Sequence, residues 1–227
     1  MLPSADVAPR AALPLTADGI WLRVAGAVPA AARPGLFLDR DGVIVEDTGY
    51  LSSPSAVHLI PGAVALVRRA NEAGIAVAVV TNQSGIARGL YGWDEFAAVE
   101  VEIGRQLGTD GAAIDGVCAC PLHPEFGGSD PERTARWRKP GPGMIEALAT
   151  ALRIDRRRAW MIGDKVSDIE AARNAGLAGA VIWPPGGERS VRDQALRLRG
   201  ADFAVRAATD LSRIPAILPE LFDDVPR

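Results

Sequence analysis

The stretch "LFLDRDGVI", Leu36 to Ile44, sets two aspartates either side of an arginine, directly behind an apolar run and with glycine next. A buried strand ordinarily ends on a single turn-forming residue. Asp39 and Asp41 together therefore mark a strand end with a chemical task. Further short apolar runs follow at 75–80 ("IAVAVV"), 114–120 ("IDGVCAC"), 159–162 ("AWMI") and 179–182 ("GAVI"). They show little polar alternation, which means burial on both faces and hence a parallel sheet covered by helices. Amphipathic stretches at 62–73, 93–107, 142–153 and 167–175 separate them. This alternation predicts an α/β fold, a doubly wound and mainly parallel sheet with its site at the carboxyl ends of the strands.

The 227 residues are 48% apolar and 23% charged, enough to bury one sizeable core. A net charge of −3 speaks against a general nucleic-acid binder, and no run approaches the roughly 20 apolar residues of a membrane span. The N-terminus lacks the basic start and apolar centre of a signal peptide. Two cysteines, Cys118 and Cys120, cannot build a disulfide framework. The expected setting is the cytoplasm, and the expected state a monomer. Residues 1–34, rich in Ala and Pro, read as a leader packed on a body spanning 35–227, with "IWLRVAG" as a short strand inside it. The segment 121–138, "PLHPEFGGSDPERTARWR", reads as a long Pro/Gly/charged loop.

The residues just after each strand are the informative ones. Asp39 and Asp41 follow the first, "TNQSG" (Thr81 to Gly85) the second, and "GDKVSD" (Gly163 to Asp168) the fourth, while "RKPGPGM" (Arg138 to Met144) opens the helix before it. A parallel sheet gathers all of them at one edge. Carboxylates crowded together raise one another's pKa, and a hard divalent cation removes the conflict. Mg2+ suits a few carboxylates, water and a substrate phosphate. Asp39, Asp41 and Asp164 are the candidate metal ligands, with Asp168, one helical turn on, behind them. Backbone N–H groups at the helix starts add anion-binding capacity. One carboxylate, Asp39, can attack phosphorus to form an aspartyl-phosphate. The other, Asp41, can protonate the leaving alkoxide and then deprotonate the hydrolytic water. Thr81 would bond a phosphoryl oxygen and Lys139 would neutralise charge.

These four blocks, in this order, resemble the motifs of the haloacid dehalogenase-like superfamily of phosphatases. "FLDRDGVI", "TNQSGIARG", "RKPGPGM" and "GDKVSDI" are similar to those of the D-glycero-D-manno-heptose 1,7-bisphosphate phosphatases, a group that also holds histidinol phosphatases. The resemblance covers about residues 35 to 183. It implies a Rossmann-like, capless single domain that hydrolyses a small phosphorylated sugar with Mg2+, best matched by removal of the 7-phosphate of the heptose bisphosphate. It further implies that Asp47, Thr48, Gly49 and Tyr50, then Asn82, Gln83 and Ser84, with Arg138 and Lys165, line the substrate pocket.

One departure stands out. Related heptose phosphatases hold a structural zinc on a Cys-x-His and a Cys-x-Cys pair before "RKP". Here Leu122 stands at the histidine position, His123 is one place late, and Ala135 and Trp137 replace the second pair. Cys118, Cys120 and His123 offer three ligands where four are needed, so no structural zinc is expected and the loop is expected to hold by packing. The blander readings also have their place. His58 reads as packed or exposed, the cysteines as small buried apolar groups, Arg156 to Arg158 as a solvated turn, and 189–199 as a surface helix. Histidinol phosphatase remains an alternative, as does a catalytically silent phosphate-binding or receiver-like module. Against the latter, a long-lived phospho-aspartate has no use for Asp41 two places along.

Overall fold

Strand β2, Arg33–Leu38, is the axis of the molecule: Leu36 and Leu38 point into one apolar cluster and Phe37 into a second on the opposite face. The same division runs through β3, Ala76–Asn82, where Val77 and Val79 take the first side and Ala76, Ala78 and Val80 the other. Continuous apolar runs thus fold as strands buried on both faces, each large side chain contributing about 1.5–3 kcal/mol. The structure is a computed structural model that describes residues 12–127, 130–183 and 188–223. The first eleven residues of the expected leader lie outside the described residues.

Seven strands form one sheet in the order β1-β4-β3-β2-β5-β6-β7. The others are β1 (Trp21–Val24), β4 (Gly116–Cys120), β5 (Ile154–Gly163), β6 (Gly179–Ile182) and β7 (Ala204–Ala207). All neighbours pair in parallel except β1, which runs antiparallel to β4. Helices α1 (Ala63–Glu72) and α3 (Trp93–Thr109) cover one face, and α5 (Gly143–Ala151) and α6 (Val166–Asn174) the other. A short α2 (Ser84–Ala87) follows β3. Among the described residues no helix is long and apolar enough to cross a membrane.

Within the segment read as a leader, Trp21 stacks on Trp93 at 5.6 Å and meets the edge of Phe96 at 5.2 Å, which seals β1 onto the sheet. Three elements differ from expectation. Residues 121–138 are not all loop: Asp130 caps α4, Pro131–Trp137, by accepting from the Arg133 amide, with Pro131 at its first position. Trp137 is buried in one cluster with Cys118, Cys120 and Leu122, and its indole donates to Asp18 at 2.8 Å. Arg156 to Arg158 are exposed as expected, but they belong to β5, where the β2–β5 register slips, rather than to a turn. Strand β7 has only four residues at the sheet's edge, too short for a readable pattern. The surface helix over 189–199 forms as α7, Arg189–Leu196, while the C-terminus packs α8 (Ile214–Ile217) and α9 (Pro219–Phe222) onto the sheet.

Candidate active site

Because β2 lies between β3 and β5, the residues that follow these three strands meet at one edge. Asp39 extends β2, its amide bonding the Ile162 carbonyl of β5. The turn behind it requires Gly42, whose φ is +87°; a Cβ there would stand 2.5 Å from Asp164 Oδ2. Asp39 Oδ1 accepts from the Arg40 amide at 2.7 Å and from Lys139 Nζ at 2.9 Å. Lys139 is buried and also reaches Asp168 Oδ1 at 2.7 Å and the Val80 carbonyl at 2.9 Å. Its backbone is clasped by Asn82, whose side-chain oxygen accepts from the Lys139 amide while its NH2 donates to the Lys139 carbonyl. Asp168 sits at the start of α6 and accepts from the Lys165 amide at 2.9 Å.

One oxygen each from Asp39, Asp164 and Asp168 lie within 4.8 Å of one another, all three residues buried. Burial, then the charge of Asp39, pushes the Asp164 carboxyl up to about 7. Burial raises Asp39 as well, against the pull of Lys139. Burial opposes the charge of Lys139, but Asp168 and Asp39 outweigh it and raise its pKa. Asp164 Oδ1 is buried with no hydrogen-bond partner among the described residues. An orphaned carboxylate oxygen in an acidic cluster is the donor set a hard divalent cation takes. Asp41, expected among the metal ligands, is not in this group: its carboxylate goes to Arg40 and Gln83.

Above the cluster lies a cavity of about 500 Å³. Asp39, Asp41, Thr81 and Lys139 line it, as do Asp47, Gly49, Tyr50, Asn82, Ser84, Arg138 and Lys165. Lys165 pairs with Asp47 at 3.3 Å and Asp164 at 3.5 Å, which ties the 47–50 loop to α6. Arg138 donates to the Leu122 carbonyl and has no acidic partner among the described residues. Two expected pocket residues stand apart. Thr48 is exposed outside the lining, and Gln83 is 3% exposed behind the wall, where its Nε2 donates to Asp41 Oδ2 and Thr81 Oγ1. Sequence reading passed over Ser167, which lines the cavity beside Asp168, and Glu100, buried beneath Arg40. Glu100 shares a helical stripe with Phe96, Val99, Ile103 and Leu107, and a charge on an apolar stripe is a readable sign of a buried partner. His58 is exposed away from the cavity. Burial raises the thiol pKa of both cysteines, Cys120 to about 11.

A family model described as HAD-hydrolase-like matches residues 136–197. The D-glycero-beta-D-manno-heptose-1,7-bisphosphate 7-phosphatase of Mesorhizobium japonicum is 40% identical over 206 residues, 90% of each chain. A Mesorhizobium loti protein described as a HAD-like phosphatase superposes with a TM-score of 0.81 at 36% identity, covering 95% of this chain and 99% of that one. The D,D-heptose 1,7-bisphosphate phosphatase of B. bronchiseptica, solved with magnesium and phosphate, gives a TM-score of 0.69 at 30% identity over 82% and 98%. Identity of 40% to a relative covered along 90% of both chains leaves one assignment: the chain belongs to the heptose 1,7-bisphosphate 7-phosphatase family of HAD-like hydrolases.

Proposed function

We propose that the protein hydrolyses D-glycero-D-manno-heptose 1,7-bisphosphate at its 7-phosphate, in a Mg2+-dependent reaction through an aspartyl-phosphate on Asp39. The observation that carries this reading is the position of Asp39 at the floor of the cavity, with Oδ1 held by Lys139 and the Arg40 amide. Oδ2, which carries neither bond, attacks phosphorus; the P–O7 bond breaks, and the Asp41 carboxyl gives its proton to the leaving alkoxide. Asp41 then takes a proton from the water that displaces Asp39. The Thr81 hydroxyl oxygen already accepts from Gln83 at 2.7 Å, so its own proton is free for a phosphoryl oxygen. Asp39 and Asp164 would hold Mg2+, with Asp168 behind them, its carboxylate ion-paired with Lys139 and accepting from the Lys165 amide. Mg2+ would supply charge neutralisation for the phosphoryl oxygens. Arg138 and Lys165 on the wall suit the second phosphate of a bisphosphate.

The test is phosphate release from both anomers of the heptose bisphosphate, histidinol phosphate and simple sugar monophosphates, with Mg2+ and with EDTA. The expected result is preference for the heptose bisphosphate and loss of turnover without metal. Equal rates on monophosphates would remove the substrate assignment, and faster turnover of histidinol phosphate would replace it.

A further inference from the structure

We propose that Glu100 on α3 is a positioning residue that, through the Arg40 guanidinium, sets the Asp41 carboxylate in place at the cavity wall. The inference rests on the acid/base role proposed for Asp41.

Arg40 is only 1% exposed, an unusual place for a guanidinium. Its Nε and Nη2 donate to Asp41 Oδ1 at 3.1 and 3.0 Å, and Nη2 also reaches Oδ2 at 3.0 Å. The outer nitrogen, Nη1, donates to Glu100 Oε1 at 3.2 Å, and Cζ lies over the Phe96 ring, 5.2 Å from its centre. Arg40 and Asp41 are neighbours on one turn, so their bond alone does not locate the pair relative to the sheet. Glu100 comes from sixty residues further on, and with Phe96 it fixes the outer end of the guanidinium to a rigid helix. The inner end then presents two donors at one position in space.

Gln83 completes the clamp. Its Oε1 accepts from Arg40 Nη2 and from the Tyr91 hydroxyl, while its Nε2 donates to Asp41 and Thr81. The reverse amide orientation would set NH2 against the guanidinium and the amide oxygen against the Asp41 carboxylate, so the network admits one arrangement. A largely buried network paired in this way specifies geometry. What it specifies here is the place of the Asp41 oxygen that must meet the leaving group. A purely structural role for Glu100, neutralising Arg40, predicts something different, because an apolar pair of matching volume would then serve as well.

The two roles separate by leaving group. Protonation matters for a sugar alkoxide and hardly at all for p-nitrophenolate, and kcat/KM reports the phosphoryl transfer to Asp39 alone. A positioned general acid contributes about 10²- to 10⁴-fold, so partial misplacement in Glu100→Gln is expected to lower kcat/KM on the heptose bisphosphate by about 10- to 100-fold. On p-nitrophenyl phosphate the same variant should fall by less than about 3-fold. Arg40→Met/Glu100→Leu, which replaces the ion pair by apolar side chains, should fold and show the same selective loss; it stands in should Glu100→Gln fail to fold. Asp41→Asn run alongside should show the selective loss in stronger form. Equal losses on both substrates in the Glu100 variants, or recovery in the apolar double variant, would overturn the inference while leaving the Asp41 assignment intact. Equal losses in Asp41→Asn would take both readings down.

Discussion

The ammonium of Lys139 lies 2.9 Å from Oδ1 of Asp39, with both side chains buried. It donates to the Val80 carbonyl and lies 2.7 Å from Asp168 Oδ1, so its charge is set against two acidic side chains of the cavity floor. Lys139→Met should lower kcat by about 10²- to 10³-fold. It should also destabilise the fold by about 3–5 kcal/mol in the absence of metal, since two buried carboxylates lose their cation. Lys139→Arg should not restore activity, because a planar fork cannot meet three acceptors arranged around a tetrahedral nitrogen. Steady-state kinetics and urea unfolding check both parts.

Asp39→Asn should remove turnover by at least about 10⁴-fold, as loss of a covalent nucleophile does. Its thermal stability should stay close to the parent's or rise, since a repelling charge leaves the cluster. Trapping with radiolabelled substrate should show phosphoprotein in the parent and none in the variant. Labelled Asp39→Asn protein would move the nucleophile elsewhere.

The Asp164 carboxyl, ordinarily near 3.8, is pushed up to about 7 by burial and by Asp39. Between those values the folded chain keeps a proton that the unfolded chain has released. Stability of the metal-free protein must therefore fall as pH climbs from about 4 to about 7, then level off. Mg2+ binding displaces that proton, so affinity should rise over the same window, with proton release measurable by calorimetry in buffers of different ionisation enthalpy. Asp164→Asn should flatten the slope of Tm against pH. A slope unchanged by that substitution would contradict the assignment.

Gly42→Ala combines a φ of +87° with a Cβ 2.5 Å from Asp164 Oδ2. We expect a loss of about 1–3 kcal/mol from backbone strain together with weaker Mg2+ binding, because Asp164 must move to make room. The metal titration is the decisive half. Unchanged affinity would mean that the turn, and not the carboxylate, absorbs the added methyl group.

The residues that needed no tertiary information are those lying next to a strand end. Asp39, Thr81 and Asp164 stand at the ends of apolar runs, where a parallel sheet obliges them to converge, and Lys139 was legible from its motif at the opening of α5. Helix α4 could have been read too, because Asp130-Pro131 is a capping pair; the surrounding prolines and glycines hid it. The arrangement behind the wall was a different matter. Gln83 sits within a motif of pocket residues, yet its amide turns inward to Asp41 and Thr81, since Arg40 and Tyr91 offer donors there. Strand pattern and local propensity thus determined strands β2 to β6 and the acidic edge they form. Only the packing of α3 against the β2 turn decided that Glu100 would meet Arg40, and that the Asp41 carboxylate would face a guanidinium rather than join the cluster of Asp39, Asp164 and Asp168. Such contacts depend on side-chain direction across sixty residues of chain, and periodicity along the sequence carries no record of it.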